Sequence, residues 1–285
     1  MTISTFSTMT RLMAEADEKR QRFLLTLAYD GRIFEGWQSQ ASGNTIQDRL
    51  LGALQTVCPE VAGVHGSGRT DAGVSAQAQR AHFDAPGSAS LDCDSWPHAL
   101  NANLPPQIRV MKCEAVGREF HARFNAIGKT YRYRLFVGDV LPPLEVGLVW
   151  HVKGDLDREL LKTAAQLFVG HHDFRAFSAN RGDGHDETRN AERTIHSVKI
   201  VEADDKLMID LRFVGEGFLY KMVRFLAGSA VRCAQGKLAL SEVERLLAGV
   251  EFSEKAPFCA PADGLLLEAV TYPGSKSITS SSSSD

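Results

Sequence analysis

The residues best suited to chemistry are an arginine and an aspartate enclosed by glycines, in HGSGRTDAGVSAQAQ (65–79). Arg69 and Asp71 are two positions apart, so in an extended segment both side chains leave the same face. At bonding distance the guanidinium would keep the carboxylate ionised even in a dry pocket. An ionised aspartate in a cleft can act as a nucleophile, and a surface turn with a local ion pair is the alternative interpretation.

A second segment, REFHARFNAIGKTYRYR (118–134), interleaves cations with aromatic rings. Five cations face one acid, which gives a formal charge of +4 (five minus one). Cations bind phosphate and aromatic rings accept an unstacked base, so the composition suits single-stranded or flipped RNA. A half-buried strand with a solvated basic face is the alternative. The candidate RNA contacts are Arg123, Lys129 and Arg132.

A third segment, GFLYKMVRFLAGSAVR (217–232), is apolar and free of acids, and its pattern predicts a helix over 217–234. Lys221 and Arg224 are three residues apart, so we expect them to share one helix face as candidate RNA contacts. A helix whose two cations merely extend their stems along an apolar surface is the alternative.

A fourth segment, 180–193, resembles a metal site only superficially. It lacks the alternation of a calcium loop and the HExxH spacing of zinc enzymes, so we predict a mobile polar loop and no metal. The histidines of HHDF (171–174) are expected to pack beneath a loop. The metal-ligand types in the fourth segment are Asp183, His185, Asp186 and Glu187.

The composition, with 44% hydrophobic and 24% charged residues in a chain of 285, is that of a soluble globular protein. It excludes a wholly disordered chain and a rod. The longest uncharged apolar stretch, 225–231, falls well short of the roughly 18 residues of a membrane span. A net charge of −3 does not by itself indicate a nucleic-acid binder, and five scattered cysteines favour reduced thiols in a cytosolic protein.

Strands and helices are mixed without strict alternation, which predicts an α+β fold with largely antiparallel sheets. Capping boxes are expected at Thr45–Asp48 and Ser241–Glu244, and Gly170 is expected just after a helix. The expected strands are 23–30, 77–84, 108–116, 129–137, a hairpin over 195–214 and 265–272, and the expected helices are 45–57, 94–105, 156–170, 217–234 and 241–249.

Two α+β domains are expected, over 23–117 and 118–274, because each half has a similar content of strands and helices. A flexible arm (1–22) would precede them. A low-complexity tail (275–285) that cannot pack would follow.

Five ordered blocks resemble the signature blocks of TruA-type tRNA pseudouridine synthases, and they span most of residues 23–272. They are YDGRIFEGWQ (29–38), GRTDAGV (68–74), LNANLP (100–105), FHARFNAIGKTYRYR (120–134) and GFLYKMVRFLAG (217–228). The resemblance implies two α+β domains flanking an RNA-binding cleft. It also implies isomerisation of uridine to pseudouridine in the tRNA anticodon stem-loop, at nucleotides 38–40, by a cytoplasmic homodimer without cofactor or metal.

The resemblance assigns roles to four residues. It places the family's catalytic aspartate on Asp71 and its base-contacting tyrosine on Tyr131. Arg69 takes the position associated with displacing the target base, and Arg224 the position associated with an ion pair to the aspartate. Ser75 stands where the family usually has histidine, and the loop before 192–196 also departs from the family pattern.

Two other function classes are weighed against this resemblance. A tRNA-binding protein without catalysis would fit the basic and aromatic segment alone, but binding phosphate does not call for a carboxylate between glycines. An aspartate-dependent glycosidase would cleave the base rather than rejoin it. The chemical path of the aspartate stays open, since it could add to uracil C6, add to ribose C1′ or deprotonate the ribose.

Overall fold

The computed structural model describes residues 20–87, 91–182 and 184–274. The chain forms two compact units, one ending at Phe124 and one beginning at Asn125. The first unit therefore extends beyond the boundary expected near residue 117. The reason is that Arg22 Nη1 donates to the Phe120 carbonyl at 2.8 Å and the Ala122 amide donates to His82 Nδ1 at 3.2 Å.

The last three residues of the expected N-terminal arm belong to the first strand, Arg20–Tyr29. Arg22 is held there because its guanidinium binds Asp84 on a neighbouring strand, with Nε at 2.7 Å from Oδ1. Residues 1–19 of the arm and the expected tail, 275–285, lie outside the described residues.

The first unit pairs its strands antiparallel. β1 lies between β3 and β4, and β2 pairs with the other edge of β3. Leu25, Phe83 and Trp96 are fully buried in the core, with the rings of Phe83 and Trp96 edge to face at 4.9 Å. The elements are β1 (Arg20–Tyr29), α1 (Ile46–Val57), β2 (Val64–Gly66), β3 (Ser75–Pro86), α2 (Ser95–Asn103) and β4 (Ile108–Val116).

The second unit is also built on antiparallel pairs, in the order β10-β5-β9-β8-β7. The short β6 pairs in parallel with the end of β5. Its elements are β5 (Gly128–Phe136), β6 (Trp150–His151), α3 (Arg158–Gln166), β7 (Gly170–Asp173), β8 (Glu192–Glu202), β9 (Met208–Gly215), α4 (Met222–Ala234), α5 (Leu240–Leu247) and β10 (Leu265–Thr271). The predicted α+β class is confirmed.

Three predictions made from short stretches of sequence, a helix cap, a buried strand face and a hairpin, agree with the structure. Thr45 Oγ1 accepts from the Asp48 amide at 3.2 Å, so the first capping box is confirmed. In β5, Tyr131, Tyr133 and Leu135 are buried on one face, as their alternation predicts. The hairpin prediction is confirmed by the antiparallel pairing of β8 with β9.

Two helix ends differ from the prediction. Helix α5 begins at Leu240 after Ala239, without a side-chain cap, so the capping box at Ser241 is wrong. Helix α3 ends at Gln166, and Gly170 instead opens β7, which pairs with β8. Residues 170–173 pair with β8 at the edge of the sheet. HHDF therefore lies partly in a strand, which is too short to show a periodic pattern.

No helix in the described ranges is long and apolar enough to cross a membrane.

Three histidine rings cluster on the first unit around His82 of β3, which is 2% exposed. The His82 ring stacks on His65 at 5.1 Å and meets His121 edge to face at 4.6 Å. Burial lowers the pKa of His82 from 6.5 to about 4, and the neighbouring histidines oppose a charge there as well. The ring is therefore neutral in the folded protein, with Nδ1 free to accept the Ala122 amide proton.

We predict that the free energy of unfolding falls as the pH is lowered from 6.5 towards 4. In this range His82 is protonated in the unfolded chain but stays neutral in the folded protein. The contribution is about 1.4 kcal/mol per pH unit. Urea unfolding of wild type and His82→Asn, which keeps an acceptor near Nδ1, should show a shallower pH slope in the variant. Equal slopes would contradict this assignment.

Candidate active site

Asp71 lies in the loop that joins β2 to β3, half-buried, with Thr70 buried beside it. A tight turn follows Asp71. In this turn the Val74 amide donates to the Asp71 carbonyl at 3.1 Å, and Gly73 has a φ of +81°. Only glycine adopts such a φ readily, so the glycine after Asp71 is required by the turn.

The segment 29–38 supports this loop by close backbone approach. The Trp37 amide donates to the Thr70 carbonyl at 3.0 Å, and the Gly73 amide donates to the Phe34 carbonyl at 3.3 Å. Gly36 has a φ of +89°, and a β-carbon there would lie 2.7 Å from the Thr70 oxygen. The glycines of this segment therefore allow its backbone to touch the backbone of the Asp71 loop.

Two further contacts fix the ends of the loop. A β-carbon on Gly31 would lie 2.0 Å from the Val74 carbonyl oxygen, and one on Gly66 would lie 2.5 Å from the Trp37 indole. Ser75 Oγ accepts from the Gly31 amide at 3.0 Å. Ser75 stands where the resembled family usually has histidine, and its hydroxyl strengthens the contact between Gly31 and the end of the loop.

A buried polar network lies beneath the loop and was not found from the sequence. Gln79 donates to the Gly68 carbonyl at 3.0 Å and accepts from Ser67 Oγ at 2.7 Å. The hydroxyls of Tyr29 and Thr70 are 2.8 Å apart. Burial raises the pKa of Tyr29 to about 12, so the network stays neutral. Its only sequence signal is polar side chains at inward positions of β1 and β3.

Arg69 is exposed on the same loop, with Thr70 turned inward between it and Asp71. The ion pair expected between Arg69 and Asp71 stays a prediction. A hydrated guanidinium gains little from an exposed pair, so spacing alone does not enforce one.

The basic and aromatic segment 118–134 is divided between the two units. Arg123 lies in the first unit, with its guanidinium 5.6 Å from the ring centroid of Phe124, which is 76% exposed. Lys129, Tyr131 and Arg132 lie on β5 of the second unit.

Tyr131 is 7% exposed on β5, and its ring meets Phe218 edge to face at 5.1 Å and 79°. This packing fixes the plane of the tyrosine ring. Phe218 belongs to the GFLYKMVR block, but the sequence reasoning did not connect the two rings, because they are far apart in the chain.

Arg132 lies in an ion network on the sheet, where its Nη1 is 4.0 Å from oxygens of both Asp210 and Glu268. Burial lowers the pKa of Arg132, and the nearby Arg134 and Arg212 lower it further. Arg134 binds Asp210 at 2.8 Å. Arg132 thus has protein partners in addition to the RNA role predicted for it.

Lys221 and Arg224 do not share a helix face, and that prediction is wrong. Helix α4 begins at Met222, and Lys221 precedes it in the left-handed region with a φ of 58°. The cause is the Tyr220 carbonyl, which accepts from the Ala179 amide at 3.0 Å and so ties the segment before α4 to another loop.

Arg224 lies in the first turn of α4 with its guanidinium oriented by the backbone. Its Nε donates to the Ala260 carbonyl at 2.7 Å, while the Ala260 amide donates to the Arg224 carbonyl at 3.1 Å. Gly228 permits this approach, because a β-carbon there would lie 2.5 Å from the Phe258 oxygen.

No group of three or more metal-ligating side chains occurs within the described parts of the chain. Asp183 of the segment 180–193 lies outside them. The Asp186 carboxylate accepts from the amides of Arg181 and Gly182, at 2.9 and 2.7 Å, so it organises its own loop.

Comparisons with known proteins agree on one family. A family model described as tRNA pseudouridine synthase matches residues 26–125 and 164–273, which include Asp71 and Arg224, while Tyr131 lies between the two ranges. The tRNA pseudouridine synthase A of Akkermansia muciniphila is 45% identical over 257 residues, or 88% of this chain and 95% of that protein. That of Bacillus licheniformis is 41% identical over 253 residues, or 88% and 99%.

A solved structure, the archaeal box H/ACA sRNP Nop10-Cbf5 complex, matches with a TM-score of 0.35 and 12% identity, over 74% of this chain and 43% of that one.

We predict that Gly36→Ala destabilises the protein by at least about 2 kcal/mol more than Gly43→Ala, as measured by urea unfolding. Both glycines have a positive φ, +89° and +66°, but a β-carbon at Gly43 meets nothing within 4 Å. The control therefore carries the backbone strain without the collision. Equal destabilisation would show that the contact with the Asp71 loop is not tight.

Proposed function

Because the chain belongs to the tRNA pseudouridine synthase family, a family of isomerases, we propose that it isomerises uridine to pseudouridine in tRNA, in the anticodon stem-loop at nucleotides 38–40. The observation that carries the proposal is the Asp71 loop. A half-buried carboxylate is presented on a turn that three separate glycine contacts and a neutral buried network hold in place. A phosphate-binding surface has no need of such a carboxylate.

The reaction exchanges bonds within one nucleotide. The glycosidic bond from C1′ to N1 breaks, a bond from C1′ to C5 forms, the hydrogen on C5 leaves as a proton, and N1 takes up a proton. Nothing is oxidised and no group is donated, so the atoms and electrons balance without a co-reactant. Asp71 is the catalytic carboxylate in this proposal, through addition to uracil C6, addition to C1′ or deprotonation of the ribose.

The target base must first leave its stack, which costs a few kcal/mol. Arg69 is exposed on the Asp71 loop, and we assign it the task of filling the gap left by the base. Tyr131 contacts the flipped uracil, and its hydroxyl assists removal of the C5 proton. The resemblance assigns Arg224 an ion pair with the catalytic carboxylate, and such a pair would keep the carboxylate ionised.

Basic side chains hold the RNA backbone in this proposal. Phosphate contacts set the register of the RNA, whereas the contacts to the base select the target. On the resemblance alone, the enzyme works as a cytoplasmic homodimer with tRNA across both subunits. The backbone contacts are assigned to Arg123, Lys129, Arg132 and Lys221.

We predict that Asp71→Asn abolishes tritium release from tRNA carrying 5-tritiated uridine, while tRNA affinity stays within about threefold, since charge on the phosphates supplies most of the binding. Asp204→Asn, an isosteric change at the exposed turn between β8 and β9, is the matched control and should keep wild-type release. Release by Asp71→Asn would remove the carboxylate from the mechanism. Binding without release by the wild type would leave a tRNA-binding protein.

The position of the modification is tested with tRNA transcripts in which uridines 38, 39 and 40 are replaced one at a time by cytidine. We predict that release disappears when the target uridine is replaced and persists when a uridine outside the anticodon stem-loop is replaced. Persistent release from a transcript without uridine at 38–40 would place the target elsewhere in tRNA. Cleaved free uracil instead of rejoined base would indicate a glycosidase.

A further inference from the structure

Gln79 lies beneath the Asp71 loop and is 0% exposed. Its side-chain oxygen accepts from the Arg80 amide at 3.1 Å, and its side-chain nitrogen donates to the Gly68 carbonyl at 3.0 Å. A backbone amide can only donate and a carbonyl can only accept, so these two bonds fix which end of the side chain carries the hydrogens. The donor end of Gln79 is therefore directed at the loop that carries Asp71.

The same nitrogen reaches a second point of the loop through Tyr29. Gln79 Nε2 lies 3.4 Å from the Tyr29 hydroxyl oxygen, and that oxygen lies 2.8 Å from Thr70 Oγ1. Because burial raises the pKa of Tyr29 to about 12, the phenol keeps its hydrogen. A hydroxyl that accepts from Gln79 has this hydrogen left to donate to Thr70, so the donors run in one direction.

These contacts lie directly before the two loop residues that have proposed roles. Gly68 precedes Arg69, and Thr70 precedes Asp71. The Thr70 carbonyl also accepts from the Trp37 amide at 3.0 Å, so this residue is held by its backbone as well as by its side chain. One buried amide therefore bonds the backbone before Arg69 and, through one hydroxyl, the side chain before Asp71.

An irregularity in the sheet brings the amide under the loop. Ala76 and Gln79 are both buried although they are three positions apart on β3, a spacing that puts side chains on opposite faces of a regular strand. Leu27 of β1 pairs with Gln79 and Tyr29 pairs with Ala76, so β3 has one residue more than β1 in this stretch. Such a bulge redirects side chains, and here it leaves Gln79 facing inward.

We propose that Gln79 is a positioning residue for the isomerisation, and that its side-chain nitrogen holds Arg69 and Asp71 in one fixed arrangement. The inference rests on the proposed function. Displacing the base and acting on it require both residues at the same nucleotide, and a misplacement of about 1 Å costs up to about a hundredfold in rate. Because Gln79 is fully buried and neutral, it neither contacts the RNA phosphates nor attracts them.

The test uses the full chain and an unmodified tRNA transcript that carries 5-tritiated uridine. Gln79→Met removes the side-chain amide, and Tyr29→Phe removes only the hydroxyl that connects it to Thr70. Gln166→Met is the matched control, because Gln166 Nε2 also donates to a backbone carbonyl, that of Val198 at 3.0 Å, in the second unit. For each variant we measure the single-turnover rate of tritium release at saturating tRNA, the tRNA affinity and the melting temperature.

We expect Gln79→Met to lower the saturated rate at least about tenfold and Tyr29→Phe about threefold, with tRNA affinity within about threefold of wild type. Gln166→Met should keep the wild-type rate. The double variant Tyr29→Phe/Gln79→Met should stay within about twofold of Gln79→Met, because the Tyr29 hydroxyl acts together with Gln79. A purely structural role would lower the melting temperature of Gln79→Met and leave the rate of the folded protein unchanged.

The outcomes separate the two proposals. A wild-type rate from folded Gln79→Met would overturn the positioning role and leave the isomerase function standing. If Gln79→Met does not fold at the assay temperature, Tyr29→Phe decides, since a wild-type rate from this variant would overturn the positioning role as well. Absence of tritium release by the wild type would overturn the proposed function, and the positioning role with it.

Discussion

The contact between two backbones at Gly36 is the constraint on which the Asp71 loop depends. A β-carbon at this position would lie 2.7 Å from the Thr70 carbonyl oxygen and 3.0 Å from the Ala72 amide nitrogen. Glycine lets the Trp37 amide reach the Thr70 carbonyl, and that hydrogen bond aligns the segment 34–37 along the loop. The backbone that carries Asp71 is thus held by other backbone atoms, which reorganise less than side chains when a substrate binds.

The network below the loop adds polarity without adding charge. Gln79 bonds to the Gly68 carbonyl and to the Ser67 hydroxyl, and buried polar groups cost about 1–3 kcal/mol each when they are left unsatisfied. Because burial raises the pKa of Tyr29 to about 12, no titration beneath the loop changes its electrostatics near neutral pH. The polar network beneath the Asp71 loop therefore contributes hydrogen bonds but no charge near neutral pH.

The second unit uses its cations in two different ways. Along β5 and β9, Arg134 and Arg212 lie beside Asp210 and Glu268, with bonds of 2.8 and 3.1 Å, so positive and negative charges largely cancel within the sheet. Lys255 differs, because its ammonium donates to the Arg175 carbonyl at 3.0 Å, and burial lowers its pKa. The cations of the sheet are thus held by carboxylates, whereas the Lys255 ammonium is held by a backbone carbonyl.

The sequence alone establishes the α+β class, the bounds of most strands and helices to within a few residues, and Asp71 as the residue of interest. These features follow from short-range periodicity, from a capping box such as Thr45–Asp48, and from glycines placed around one carboxylate. Contacts between segments that are distant in the chain could not be predicted from these local patterns. The Tyr220 carbonyl binds the Ala179 amide, so α4 begins later than its apolar pattern suggests and Lys221 leaves the helix.

Only the tertiary structure decided which charged groups have partners. Arg132 gains acidic neighbours from β9 and β10, with its Nη1 4.0 Å from both Asp210 and Glu268. The Lys255 ammonium likewise reaches the Arg175 carbonyl across 80 positions of the chain. The physical reason is that the strength of a charge interaction depends on distance and burial, and both are set by the packing of segments that no local pattern connects.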